Sequence, residues 1–176
     1  VHLGTDVDQA RFVQLATKDM PTVQVNENAR VALGLSDVPY RQLMSWEGLY
    51  QDAYAVDLQT GAAKPLGRKL RHAPKLSPTG KYALGFDANA VRWMAWRTDT
   101  GEAINLTGKI KSRFDNDDRD VPDLPSPYGA AGWTADDDSV VIYDKFDLWS
   151  IQPATGKSRN LTQGWGRKQG LELRVV

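Results

Sequence analysis

The chain of 176 residues contains no cysteine, which excludes disulfides and thiolate metal ligands. That absence does not identify a compartment, since many proteins in oxidising surroundings also lack Cys. Only two histidines are present, His2 and His72, one at the terminus and one in a basic connector. A metal centre or a Ser-His pair therefore has little to be built from, and no metal or other cofactor is expected. Charge of either sign is not in excess: 22 basic residues face 22 acidic ones, so no net field selects nucleic acid or an anionic membrane. No apolar run approaches the ~20 residues a membrane-crossing helix needs. The opening "VHLGTDVDQARF" has neither a basic n-region nor an apolar h-region, so no signal peptide is read there, which does not bear on whether a precursor carried one. The nucleophile elbow G-x-S-x-G is missing too; "GLSDV" at Gly34 to Val38 lacks the closing glycine.

What the chain has is repetition. Taking the Gly of three Thr-Gly pairs as origin (Gly61, Gly101, Gly156), Leu66, Leu106 and Leu161 stand five residues after it. Val56, Trp96 and Ile151 stand five before it, and Tyr54, Met94 and Trp149 seven before. Apolar residues two apart on one side of a turn mark a buried strand face, and Gly supplies the positive φ of a short hairpin connection. A second block precedes each: "VNENARVALGL" from Val25, "LSPTGKYALGF" from Leu76 and "WTADDDSVVIY" from Trp133 align without gaps. Each is an apolar residue, a polar turn and a β-forming run, hence another hairpin. Each unit thus reads as four antiparallel strands a to d.

Tandem four-stranded units of this size predict an all-β chain, a β-propeller segment of about three blades plus flanking strands, an incomplete ring. The expected layout is the last strand of a preceding blade in 1–20, blades over 21–67, 72–107 and 129–162, an inserted loop over 108–128, and the first strand of a next blade in 170–176. A two-sheet sandwich is the rival fold. Uncovered edges lead us to expect either a longer propeller or self-association.

Two connectors break the register. From Val25 to Gly61 is 36 residues against 25 from Leu76 to Gly101, the excess lying in the b–c connection "SDVPYRQLMSWEGLYQ". After Leu106 the d–a connection takes 27 residues to reach Trp133. Strand alternation puts b–c and d–a connectors on one face and the Thr-Gly turns on the other, and long loops on a rigid scaffold are where function tends to sit. The candidate contact residues are therefore Arg41, Trp46 and Glu47 in the first long connector and Arg113, Asp115, Asp120 and Tyr128 in the second. The acidic run Asp115 to Asp123 departs from EF-hand spacing at Arg119 and reads as a solvated loop, with calcium the alternative. "GRKLRH" and "GRK" read as solvated loops rather than nucleic-acid contacts. Two Asn-Leu-Thr triplets, at Asn105 and Asn160, match a glycosylation acceptor pattern but recur because strand d recurs.

"SPTGKYALGF" and "PDLPSPYGAAGWTADDDSVVIYDKFDLWSIQPATGKSRNLTQGWGRK" resemble the N-terminal propeller of bacterial peptidases of the prolyl oligopeptidase family, and "SDVPYRQLMSWEG" is similar to the same group. The resemblance covers most of the chain from about Val25, and Pro-Tyr-Gly-x-x-Gly-Trp at Pro127 to Trp133 is its most specific part. It implies a non-catalytic segment that restricts access of peptide substrates and docks on a separate α/β-hydrolase domain of the same parent chain, which carries the catalytic Ser, Asp and His. It also suggests a periplasmic or secreted location. The paired glutamates of aminopeptidase-like members have no counterpart, since Glu47 stands alone. The alternative is a stand-alone TolB-like or WD-repeat-like scaffold that binds a protein or peptide.

Overall fold

The computed structural model describes residues 2–3, 12–27, 30–116 and 123–176. Short strands β1 (His2–Leu3) and β2 (Phe12–Val13) pair antiparallel. Three four-stranded antiparallel sheets follow, each a meander in chain order. The first holds β3 (Thr22–Val25), β4 (Val31–Ser36), β5 (Asp52–Asp57) and β6 (Ala63–Pro65). The second holds β7 (Lys75–Leu76), β8 (Tyr82–Asp87), β9 (Arg92–Arg97) and β10 (Ala103–Asn105). The third holds β11 (Ala130–Trp133), β12 (Val140–Tyr143), β13 (Leu148–Ile151) and β14 (Ser158–Asn160). The fold is all-β and propeller-like, with the strand order of blades. No helix among the described residues is long and apolar enough to cross a membrane.

The repeat is a repeat of hydrogen bonds. Gly61, Gly101 and Gly156, at φ of 75°, 80° and 68°, each donate to the carbonyl four residues earlier, on Asp57, Arg97 and Gln152, at 2.8 Å. The Thr before each Gly accepts from the second N–H beyond it: Ala62, Glu102 and Lys157 donate to Thr60, Thr100 and Thr155 at 3.2, 3.2 and 3.3 Å. The N–H groups of Leu66, Leu106 and Leu161 donate to equivalent carbonyls on Ala53, Trp93 and Leu148. Their side chains are less alike: Leu106 is buried, Leu66 half-buried and Leu161 exposed. The Asn-Leu-Thr triplets also have a structural cause. Thr107 and Thr162 use their hydroxyls to accept the N–H groups of Trp93 and Leu148 near the start of the third strand. In the first sheet the Gly67 carbonyl takes that role for Ala53.

The chain divides into two compact units, residues 1–84 with 96–103, and residues 85–95 with 104–176. In the first, Leu15, Met20, Ala32, Val56 and Leu58 form a buried cluster against which Val13, Val23 and Tyr54 pack. The mid-strand Gly34 is explained there, because a Cβ would collide with the Met20 thioether and approach Val56. In the second, Val140, Ile142 and Ile151 are fully buried, and Phe86 meets Trp93 edge-on at 5.7 Å.

Two parts differ from the expected layout, and the two long connectors carry structure it did not specify. The segment 1–20 contains a strand pair, not a single strand. Residues 171–176 belong to no sheet. A short helix α2 (Trp165–Gln169) ends at Gly170 in the left-handed region, and the tail beyond it returns along the third sheet. Leu173 donates there to the Phe146 carbonyl at 2.9 Å and Val175 to the Tyr143 hydroxyl at 3.2 Å. The long b–c connector is helical, a 3-10 helix Val38–Leu43 running into α1 (Met44–Glu47). The inserted loop closes on itself: Asn116 donates to the Ser126 carbonyl at 2.7 Å and Tyr128 to the Phe114 carbonyl at 3.0 Å.

Candidate functional site

In the first unit the long connector 37–51 leaves β4 and lies against the connector 66–74 that follows β6. Gln51 and Leu70 exchange backbone hydrogen bonds at 3.0 and 2.9 Å. The Tyr40 hydroxyl donates to Asp52 Oδ1 at 2.6 Å, and the Lys69 N–H donates to that same oxygen at 2.9 Å and to the Tyr40 oxygen at 3.1 Å. Burial, then the hydrogen bond to the Asp52 carboxylate, push the Tyr40 hydroxyl up to about 12, so it stays a donor at every physiological pH. The ring of Tyr50 is buried, with Tyr40 edge-on at 6.1 Å, the Lys69 ammonium at 4.9 Å and the Arg71 guanidinium at 5.8 Å. Arg71 also donates to the Leu49 carbonyl at 3.3 Å and fills the space beside Gly48, whose φ of 88° ends α1. A glycine is needed there twice over, for the backbone and for the guanidinium.

The braced connector leaves three large apolar side chains in solvent. Trp46 is 89% exposed, with Leu49 at 61% and Met44 at 46%. Trp46 therefore does not fold back onto its own loop. Arg41 and Glu47 flank it in exposed ion pairs, Arg41 with Asp37 at 3.0 Å and Glu47 with Lys69 at 2.9 Å. Exposed pairs of this kind contribute little stability. Sequence reading found Trp46 as an aromatic outside the repeat, but missed Met44 and Leu49, whose exposure depends on how the connector turns.

In the second unit Arg113, Asp115 and Tyr128 come together where the inserted loop closes. Arg113 grips Asp115 through two hydrogen bonds, at 3.1 and 2.5 Å. Asp115 is 2% exposed and opposite Pro127, so at this position the solvated acidic loop is corrected to a buried carboxylate paired with the exposed Arg113. The Arg113 guanidinium holds its carboxyl below the ordinary carboxylate range. The Arg174 guanidinium lies 5.8 Å from the Tyr128 ring and 4.9 Å from that of Tyr143. Asp120 lies outside the described residues, as does most of the acidic run considered for calcium.

Behind this surface sits Asp144, fully buried in the turn between β12 and β13. Its Oδ1 accepts the N–H groups of Phe146 and Asp147 at 2.8 and 2.7 Å, and its Oδ2 accepts the Trp149 indole at 3.0 Å and Arg167 at 3.2 Å. Burial pushes this carboxyl up, but the hydrogen bonds from Asp147, Trp149, Phe146 and the Ser112 hydroxyl outweigh it and hold Asp144 below its usual value. Nothing in the repeat pattern pointed to it, because its donors come from sequence positions as distant as Ser112 and Arg167.

Among the described residues no group of three or more His, Asp or Glu side chains is placed to hold a metal ion. His72 is half-buried in the connector 66–74. Compared with known proteins, the chain matches no family model and no curated protein.

Proposed function

We propose that the chain is a non-catalytic propeller segment whose first blade offers a protein-docking surface centred on Trp46. The observation that carries this is a tryptophan 89% exposed on a connector that is itself tightly braced. Aromatic side chains with rigid support are the usual anchors of protein interfaces, because little conformational freedom is lost when they are covered. The sequence resemblance supplies the occupant: an α/β-hydrolase domain of the same parent chain, in a serine peptidase of prolyl oligopeptidase type. In that reading the segment gates the access of peptides and contributes no catalytic group.

The test is Trp46→Ala in the full parent protein. We expect docking of the two domains to loosen and peptides longer than the normal limit to be admitted, while the 176 residues alone hydrolyse no peptide. Unchanged size selection and docking in the variant would overturn the assignment. If the parent gene encodes no G-x-S-x-G motif with later Asp and His, the stand-alone scaffold takes its place.

A further inference from the structure

We propose that the third sheet carries an open seat for an acidic β-hairpin turn of a partner protein. The first sheet shows what such a seat holds. There a groove of about 650 Å³, with Ala55, Ala63 and Lys64 in its wall, takes the turn between β9 and β10. Thr98 and Asp99 of that turn line the groove, Lys64 donates to the Asp99 carbonyl, and a Cβ on Gly101 would stand 2.9 Å from the Pro65 carbonyl oxygen. The third sheet has a groove of about 470 Å³ at the equivalent place. Counted from the turn glycines, Ser150, Ser158 and Arg159 stand for Ala55, Ala63 and Lys64, and Gln152 and Lys157 for Asp57 and Ala62. Ser139 completes the lining at the position of Val31 in the preceding hairpin. Among the described residues, only the third sheet and its own turns line this groove, and no turn of another sheet enters it.

The floor of the open groove stays small, with Ser where the first sheet has Ala, so the backbone of a turn can come close to the strands. Cross-strand pairing puts Val141, Ser150 and Arg159 in one row, on the face away from the fully buried Val140, Ile142 and Ile151. Charge is where the two grooves differ. Lys157 adds a second cation to the one retained as Arg159; both are exposed, and neither side chain has an ion pair or a hydrogen bond among the described residues. The Asp138 carboxylate beside the groove accepts from the Ser139 hydroxyl and the Gln152 amide, each at 3.0 Å. An occupant that brings a carbonyl and a carboxylate meets both cations, and Asp99 is the residue of the first groove's occupant that has both to offer. A second copy of this chain does not suit the seat. Its first two turns are already seated, Gly61 against Gln14 and Gly101 against Pro65, and both glycines are half-buried. The third turn, with Gly156 exposed, carries no acid and would set its own Lys157 against the cations of the seat.

The probe is a cyclic peptide carrying the sequence of Arg97 to Glu102, RTDTGE, closed by a D-Pro-Gly turn because an open hairpin is marginal in water. Titrated into the isotope-labelled 176-residue chain, it is expected to shift the amide resonances of Ser150, Ser158 and Arg159, with affinity falling as salt is added. The same peptide with Asn in place of Asp should bind about tenfold more weakly, equivalent to ~1.4 kcal/mol, and so should the parent peptide to the Lys157→Ala/Arg159→Ala variant. Ser150→Leu fills the floor without changing charge and should weaken binding too. Lys168→Ala, exposed in the same unit but outside the groove, should bind as the parent does. No shifts in the groove, undiminished binding by the double variant, or an equal loss in the Lys168 control overturns the seat. Self-association of the chain alone, followed by sedimentation and abolished by Arg159→Ala, would overturn the partner's turn in favour of a second copy. Should the double variant fail to fold, judged by its thermal transition, the single change Arg159→Gln carries the same expectation of weaker binding. This seat stands or falls independently of docking through Trp46.

Discussion

Gly61, Gly101 and Gly156 share a backbone conformation but not a neighbourhood. A Cβ on Gly61 would stand 2.6 Å from the Gln14 carbonyl oxygen, and one on Gly101 2.9 Å from that of Pro65, whereas Gly156 has nothing within 4 Å. Replacing Gly156 by Ala therefore costs only the left-handed backbone, ~1–2 kcal/mol. The same change at Gly61 or Gly101 must also move a carbonyl, so both variants are expected to unfold at lower denaturant than the Gly156 variant in equilibrium unfolding. Gly positions in the turns were legible from the chain alone, because positive φ is a local demand. What each glycine faces was not, since Gln14 and Pro65 are brought to those turns by tertiary packing. The same division applies to Leu66, Leu106 and Leu161: their spacing fixed the hairpin register, but their burial differs with what each sheet packs against.

Among elements, the hairpins were readable and the connectors were not. Alternating apolar positions locate a strand because its period is short, but connector 37–51 draws its order from partners 20 to 30 residues away, such as Lys69 to Tyr40. No periodic signal marks such pairs. Its helical turns also follow no amphipathic stripe, since both helices contain no buried residue. The Tyr40 hydroxyl is the joint between connector, strand and following loop. Tyr40→Phe keeps the ring against Tyr50 but leaves Asp52 with one donor fewer. A loss of ~1.5–3 kcal/mol is expected, in keeping with a hydrogen bond to a charged group. Faster amide exchange at Lys69 and faster proteolysis within 41–49 would accompany it; exchange rates equal to those of the parent would show the hydroxyl to be dispensable. In the same way, α2 and the returning tail were hidden from sequence reading, because "LELRVV" suits a strand and distant partners such as Tyr143, Lys145 and Phe146 hold it elsewhere.

For the whole molecule, balanced charge conceals an uneven response to acid. Asp57, Asp115 and Asp144 are held below their ordinary value, Asp57 first by the Thr60 N–H, Asp115 first by Arg113, and Asp144 by its hydrogen bonds against the opposing effect of burial. A carboxyl depressed in the folded state binds its proton more readily in the unfolded chain. Its contribution is thus fully present above the unfolded value of about 3.9 and is lost as pH falls through the folded one. Denaturant midpoints should be flat near neutrality and drop below about pH 4. The Asp144→Asn variant should start lower and show a shallower drop; an identical slope would mean that Asp144 does not contribute. The bracing of connector 37–51 has a further consequence for inheritance. Its two ends are anchored by Tyr40 and by Tyr50 with Gln51, so substitutions between them, other than at Gly48, leave the strands beneath undisturbed. A lineage could reshape the docking surface proposed at Trp46 by rewriting that short span, Gly48 apart, and keep the rest of the sheet as it is.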